Sequence, residues 1–321
     1  MHTVVEKNVD LEIIKLLSEH GASTSSTNTF GRGPLHVAAE YGRNPEVVKF
    51  LLEHGASVTA EDTSKLTPLH TATKRNRDPE VTRMFLEHGA CASAMDDQGN
   101  TPLHYAVEEN PKLKYLVTDP HYWGAGFKMV HEASVDLEII RMLLERGASV
   151  LSTNFRGCTP LHYAGSNRNP EVFRILLEHG ALVSAADQGG STVLHEAVRQ
   201  NKNPEIIKLL LEHGADLLSI DVDGSSPLHE AARRNKNPEI IRNLIENGAS
   251  VTAADKFGKT PLHEAARCNK NPEILQVLLE HGASLLAVDG SGRTPVDLIE
   301  KKVKNEELKE KKMEVVKKWI N

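Results

Sequence analysis

A short text recurs along this chain, and the recurrence narrows the folds open to it more than any other feature. Pro-Leu-His ends at His36, His70, His104, His162, His229 and His263, with Val-Leu-His ending at His195, and most intervals are 34 residues. Asn-Pro-Glu or Asp-Pro-Glu follows each motif in most copies, at Pro45, Pro79, Pro170, Pro204, Pro238 and Pro272. A leucine-rich run and Gly-Ala close each unit, with glycines at Gly21, Gly55, Gly89, Gly147, Gly180, Gly214, Gly248 and Gly282. A fixed period of this length means one small module copied many times, each copy burying its apolar face on its neighbours. The scarcity of aromatics, 2 Trp, 5 Tyr and 7 Phe in 321 residues, argues in the same direction, against one large globular core.

Local physics turns one copy, Ser226 to Asp255, into two helices. Ser226 is a good N-cap, and Pro227 suits the first helical position, where its missing N–H is no loss. Asn237, Pro238 and Glu239 repeat the same start signal, with the glutamate's charge at the favourable end of the helix dipole. Ile240, Ile241, Leu244 and Ile245 form an apolar stripe, and Gly248 stands where a left-handed C-terminal residue is wanted. Leu228, Ala231 and Ala232 give the first helix a thin, small-residue face suited to close approach by the next copy.

The text TPLHEAARCNKNPEILQVLLEHGAS, from Thr260 to Ser284, resembles an ankyrin repeat, and the resemblance covers nearly the whole chain. It implies an all-α solenoid of stacked antiparallel helix pairs with projecting hairpin-like loops, curved in an L-shaped array, with partners held on the concave side. Asparaginyl hydroxylation, which the family undergoes at a loop asparagine, is not expected, because Thr59, Ser93, Leu151, Ser184, Leu218, Thr252 and Leu286 occupy that slot.

Two stretches depart from the pattern. His104 and His162 are 58 residues apart, and between them lies ENPKLKYLVTDPHYWGAGFKMVHEASVDLEII. This reads as a truncated second helix followed by a copy with a shortened first helix. The opening VVEKNVDLEII has the same look, so residues 1–29 are expected to form a shortened N-terminal cap within a single solenoid over 1–321. Regular repeats are expected over 30–110, an irregular segment over 111–130, repeats again over 131–290 with the first shortened, and a C-terminal capping repeat and charged helix over 291–321. From Glu300 onward eight lysines against five glutamates leave +3, as a solvated terminal cap requires.

Composition excludes several functions. A net charge of −6 is far from the basic balance of a dedicated nucleic-acid or anionic-membrane binder, so no nucleic-acid partner is expected. Apolar runs of four or five residues are far short of the roughly 18 needed to span a bilayer, so no membrane insertion is expected. No secretory leader is visible, the three cysteines are too few and scattered for a disulfide framework, and no N-x-S/T acceptor occurs. These point to a reducing compartment, the cytoplasm or nucleus, and to a monomer.

The apparent chemistry dissolves on inspection. Of 16 histidines, seven sit in the triplet motif and six in Glu-His-Gly, leaving His2, His121 and His131. Equivalent histidines belong to helical layers about 8–10 Å apart, whereas zinc needs ligands at about 2 Å. They are expected to hold turns and neighbouring copies, or to complement helix C-termini. His195-Glu196, His229-Glu230 and His263-Glu264 approach HExxH, but Arg199, Arg233 and Arg267 replace the second histidine. Phe257 to Thr260 resembles the end of a phosphate-binding loop, but Ala253 stands where its first glycine belongs. Cys158 and Cys268 have no adjacent base and read as surface thiols. No catalytic, cofactor-binding or metal site is expected.

Comparison of copies separates positions tied to the repeat from positions free to vary. Glu196 with Arg199, Glu230 with Arg233 and Glu264 with Arg267 form i,i+3 pairs worth about 0.2–0.5 kcal/mol each. Lys202, Lys236 and Lys270 form a second cationic column, open to an acidic partner or simply solvated. Tyr105, Tyr115, Tyr122, Trp123 and Phe127 crowd five aromatics into 23 residues, either anchoring a partner or filling the gap left by a truncated helix. The candidate partner-binding residues are these five aromatics with Tyr41, Arg75 and Tyr163, and Arg199, Arg233 and Arg267 in the carboxyl half. The expected function is a non-catalytic intracellular scaffold or adaptor for a protein partner. The alternatives are a substrate-recruiting subunit of a separate enzyme such as a ubiquitin ligase, or a microbial effector acting on host proteins.

Overall fold

The computed structural model describes residues 1–6, 11–41, 44–76, 78–108, 133–200 and 203–320. It is an all-α repeat solenoid; among the described residues the only β pairing is an isolated bridge between Ala186 and Thr192. The chain divides into two compact units: Met1–Phe155 with Glu178–Gly180, and Arg156–Leu177 with Ala181–Asn321.

Each copy is built as its residues dictate. In the helix Pro227–Arg234, Ser226 is the N-cap and His229 takes the role usually given to Glu or Gln in a capping box, its Nδ1 accepting the Ser226 backbone N–H at 3.2 Å. The second helix, Pro238–Glu246, starts where the Asn237 carbonyl oxygen Oδ1 accepts the Glu239 N–H at 3.1 Å. It ends at Gly248, whose φ of 104° lets the Gly248 and Ala249 amides reach back to the Ile245 and Leu244 carbonyls. Leu228, Ala231, Ala232, Ile240, Ile241 and Leu244 are buried completely, and Ile245 partly.

In the first unit, helices pack first on first and second on second. His2–Glu6 packs on Pro34–Tyr41, Leu11–Glu19 on Pro45–Glu53, and Pro45–Glu53 on Pro79–Glu87. The copy containing His70 is irregular: its first helix, Pro68–Thr71, continues as a π-helical turn, Ala72–Asn76. Of the long interval after His104, where two abbreviated copies are expected, residues 109–132 lie outside the described residues. Helix Ala133–Glu145 packs against both Pro102–Val107 and Pro79–Glu87, the place of the second helix of the copy that Thr101 opens. Ile139, Ile140 and Leu143 are buried there, and Arg146 Nη1 donates to the Leu86 carbonyl at 2.7 Å. Asp136, Leu137 and Glu138 stand in the sequence register of Asn-Pro-Glu but lie inside this helix, which starts at Ala133.

In the second unit, the first helices Pro160–Ala164, Val193–Gln200, Pro227–Arg234, Pro261–Cys268 and Pro295–Lys302 form one row. The second helices Pro204–Glu212, Pro238–Glu246 and Glu273–Glu280 form another, which the 15-residue helix Glu306–Ile320 extends. That last helix is not charged on every face. Lys312 is fully buried, and its Nζ donates to the carbonyls of Ala265 at 3.0 Å and Ala266 at 2.7 Å, near the C-terminal end of Pro261–Cys268. Burial pushes its ammonium down to about 8, with Cys268 opposing the shift.

Candidate functional site

The motif histidines are structural links. Nε2 of His36, His195, His229 and His263 donates to the carbonyls of Leu66, Ser225, Lys259 and Arg293, at 2.9 to 3.1 Å, in each case in the following copy. Nδ1 accepts the N-cap amide, which assigns the proton to Nε2 in a neutral ring. Burial, the largest influence, holds His36, His70, His162, His195 and His229 below the ordinary imidazole range. The histidines before glycine act locally: Nδ1 of His54, His88, His213 and His281 donates to the carbonyl four residues earlier. Among the described residues, no three His, Cys, Asp or Glu side chains assemble as a metal site.

In the first unit the candidates divide. Tyr41 is half-buried, with desolvation and then Glu40 holding its phenol above the ordinary range, and Arg75 is exposed 4.0 Å from Glu40. Glu40 is held more closely by Arg32, at 2.6 Å. Tyr105 is only 7% exposed and its ring presents little surface. Its hydroxyl donates to Asp96 Oδ2 and accepts from Asn100 Nδ2 at 3.2 Å, and Asn154 Nδ2 donates to Asn100 Oδ1 at 2.9 Å. Lys74 covers the Tyr105 ring, its Nζ 4.2 Å from the centroid. Tyr115, Tyr122, Trp123 and Phe127 lie outside the described residues.

In the second unit Tyr163 is half-buried on helix Pro160–Ala164, while Arg199, Arg233 and Arg267 stand on three successive first helices. Glu196 pairs with Arg199; Glu230 pairs with Arg233 at 3.2 Å and with Arg234 at 3.6 Å. Glu264 pairs with Lys259 at 3.1 Å and Arg233 at 3.7 Å. Burial works against the charge on Arg233, but Glu230 and Glu264 hold its guanidinium above the ordinary range. The two signs are not equally placed. The carboxylate side chains of Glu196, Glu230 and Glu264 are 16%, 13% and 7% exposed, those of Arg199 and Arg233 34% and 38%. The acids sit low and steady the cations above them.

These cations border an open depression of about 630 Å³, lined by Arg199, Arg233, Arg234, Lys236, Lys270 and Cys268 among others. Arg267 is exposed but lies outside this lining, and Lys202 lies outside the described residues. Asparagines set the loops that carry the lysines: Asn269 Nδ2 donates to the Ala232 and Asn235 carbonyls at 2.8 and 2.7 Å, and Asn271 Nδ2 to the Lys236 carbonyl at 2.9 Å.

A family model described as ankyrin repeats, in three copies, matches residues 1–62, 58–129, 128–221 and 217–289. The chain belongs to the ankyrin-repeat family. A comparison with curated proteins finds no match. Ankyrin repeats are generally protein–protein interaction modules, and among the described residues no helix is long and apolar enough to cross a membrane. The thiols of this ankyrin chain are less open than the sequence reading held. Cys158 and Cys268 are both half-buried, and burial followed by Asp187 pushes the Cys158 thiol up to about 11, away from nucleophilic use near neutral pH.

Sequence reasoning weighed Arg233, Lys236 and Lys270 but passed over Arg234. Its only signal was its slot, shared with Gln200 and Cys268, at the end of successive first helices. It also set Tyr105 in a cluster of aromatics that either anchor a partner or fill a gap, with no sign that Asp96 and Asn100 would claim its hydroxyl.

Proposed function

We propose that this ankyrin chain is a non-catalytic scaffold or adaptor that holds a protein partner on the side chains of its first helices and adjoining loops. One observation carries the reading. The residues that recur in all seven motif copies, such as Leu228, His229 and Ala231, are consumed in packing and inter-repeat hydrogen bonds, while Arg233, Arg234 and Lys236 point outward from the same short stretch. The chain devotes its repeated chemistry to holding shape and keeps its outward chemistry for contact. The residues proposed to contact a partner are Tyr41 and Arg75 in the first unit, Tyr163, Arg199, Arg233 and Arg267 in the second, and Tyr115, Tyr122, Trp123 and Phe127, which lie outside the described residues. A cytoplasmic or nuclear setting suits an array with free thiols and no disulfide among the described residues.

Proximity labelling in the native cell tests this reading. Wild type should mark a small reproducible set of proteins, and Tyr122→Ala with Trp123→Ala, or charge reversal at Arg199, Arg233 and Arg267, should remove members of it while leaving the helical circular dichroism unchanged. Turnover of a substrate by the purified chain alone would contradict it.

A further inference from the structure

We infer that the basic depression of the second unit is a seat for an acidic segment of a protein partner, with carboxylates spaced to meet successive repeats. This rests on the scaffold reading and adds the chemistry of the partner. The depression is bordered by Arg199, Arg233, Arg234, Lys236 and Lys270. The nearby acids, Glu196, Glu230 and Glu264, are fewer and lie deeper, so an approaching molecule meets guanidinium and ammonium groups first. Lys236 and Lys270 are exposed and engage no carboxylate among the described residues.

Spacing narrows the occupant further. Packed helices stand about 8–10 Å apart, so cations of adjoining copies recur at about that interval. A segment in polyproline II conformation has three residues per turn and advances about 3.1 Å per residue, which brings every third side chain to the same face and into register with the next layer. Guanidinium forks match carboxylates in two-point geometry, and the glutamates beneath limit the freedom Arg199 and Arg233 lose on binding. A single exposed ion pair contributes little, so affinity has to come from several layers engaged together. None of these lining residues is aromatic, which disfavours a single-stranded nucleic acid, whose bases need stacking platforms.

The test uses the full chain and a fluorescein-labelled peptide of about a dozen residues, with glutamate at every third position in a Ser/Gly background. The glutamine version of the peptide and a single-stranded oligonucleotide of equal charge are the comparisons. Fluorescence anisotropy should show binding of the glutamate peptide, weakening with added salt, and none of the glutamine peptide. Arg233→Gln with Lys236→Gln should weaken binding by about tenfold or more, and Arg83→Gln on the first unit should not. Lys236→Gln with Lys270→Gln leaves the buried carboxylates paired and gives the same reading if Arg233→Gln disturbs the fold. Equal binding of the glutamine peptide, tighter binding of the oligonucleotide, undiminished affinity in the folded lysine variant, or no binding at low salt would each overturn the inference. Lysate capture with wild type and the lysine variant separates this from the scaffold reading: equal capture by both leaves the scaffold and removes the acidic seat, while no capture by wild type removes the scaffold itself.

Discussion

His229 donates from Nε2 to the carbonyl of Lys259, 3.0 Å away and 30 residues on in the next copy. With the Ser226 amide donating to its Nδ1, the ring caps its own helix and ties down the following loop in one step. The same link recurs from copy to copy, and it demands a neutral, singly protonated ring.

That demand makes the array acid-sensitive. Burial lowers the folded-state pKa of His36, His70, His162, His195 and His229 below the ordinary value of about 6.5. The unfolded chain therefore binds more protons, and stability is fully present above about pH 6.5 and is lost as pH falls through the lower folded values. Thermal unfolding followed by circular dichroism should give a level midpoint between pH 7 and 8 that drops steadily toward pH 5. A midpoint independent of pH over that range would contradict the neutral ladder.

Tyr105→Phe should cost about 1–3 kcal/mol, because Asp96 Oδ2 loses its closer donor and Asn100 loses an acceptor while both remain buried. The loss of one hydroxyl would be too small an effect if the ring served only as bulk. Urea denaturation with an unchanged m-value is the measurement.

Lys312 gives two linked expectations. Lys312→Met keeps most of the volume and should change stability by about 1 kcal/mol or less at pH 7, whereas Lys312→Glu, which faces a carboxylate toward the Ala265 and Ala266 carbonyls, should cost about 3–5 kcal/mol. The folded pKa near 8 lies below the unfolded value of about 10.4, so wild type gains stability as pH rises from 8 toward 10. The difference in melting temperature between wild type and Lys312→Met should shift in favour of wild type across that window.

Gly258→Ala should destabilise by about 1–3 kcal/mol. Gly258 has φ of 71°, and an added Cβ would stand 2.8 Å from the Gly290 amide nitrogen, which donates to the Phe257 carbonyl at 2.7 Å. Gly248→Ala, where a Cβ meets nothing within 4 Å, isolates the backbone cost alone and should be the milder change.

Much of the fold was legible because its causes are local. Thr or Ser before proline, Asn or Asp before Pro-Glu, and Gly-Ala after leucines each act within one helical turn, so the helix pairs, their caps and their order follow from the text. The 58-residue interval was less legible for the opposite reason. VDLEII lacks proline and resembles the chain's opening, and only the packing of Ala133–Glu145 on Pro79–Glu87 and Pro102–Val107 places its helix.

The amino-acid text by itself determined the module, its period and the structural role of most histidines, since each depends on neighbours a few residues away or on strict repetition. Tertiary structure decided what repetition leaves open: that Tyr105 turns inward to Asp96, that Lys312 is buried on backbone carbonyls, and that Glu196, Glu230 and Glu264 lie beneath the arginines they accompany. Each outcome depends on burial. Exposure is a property of the stacked helices, and an i,i+3 pair of opposite charges reads the same whichever member faces the water.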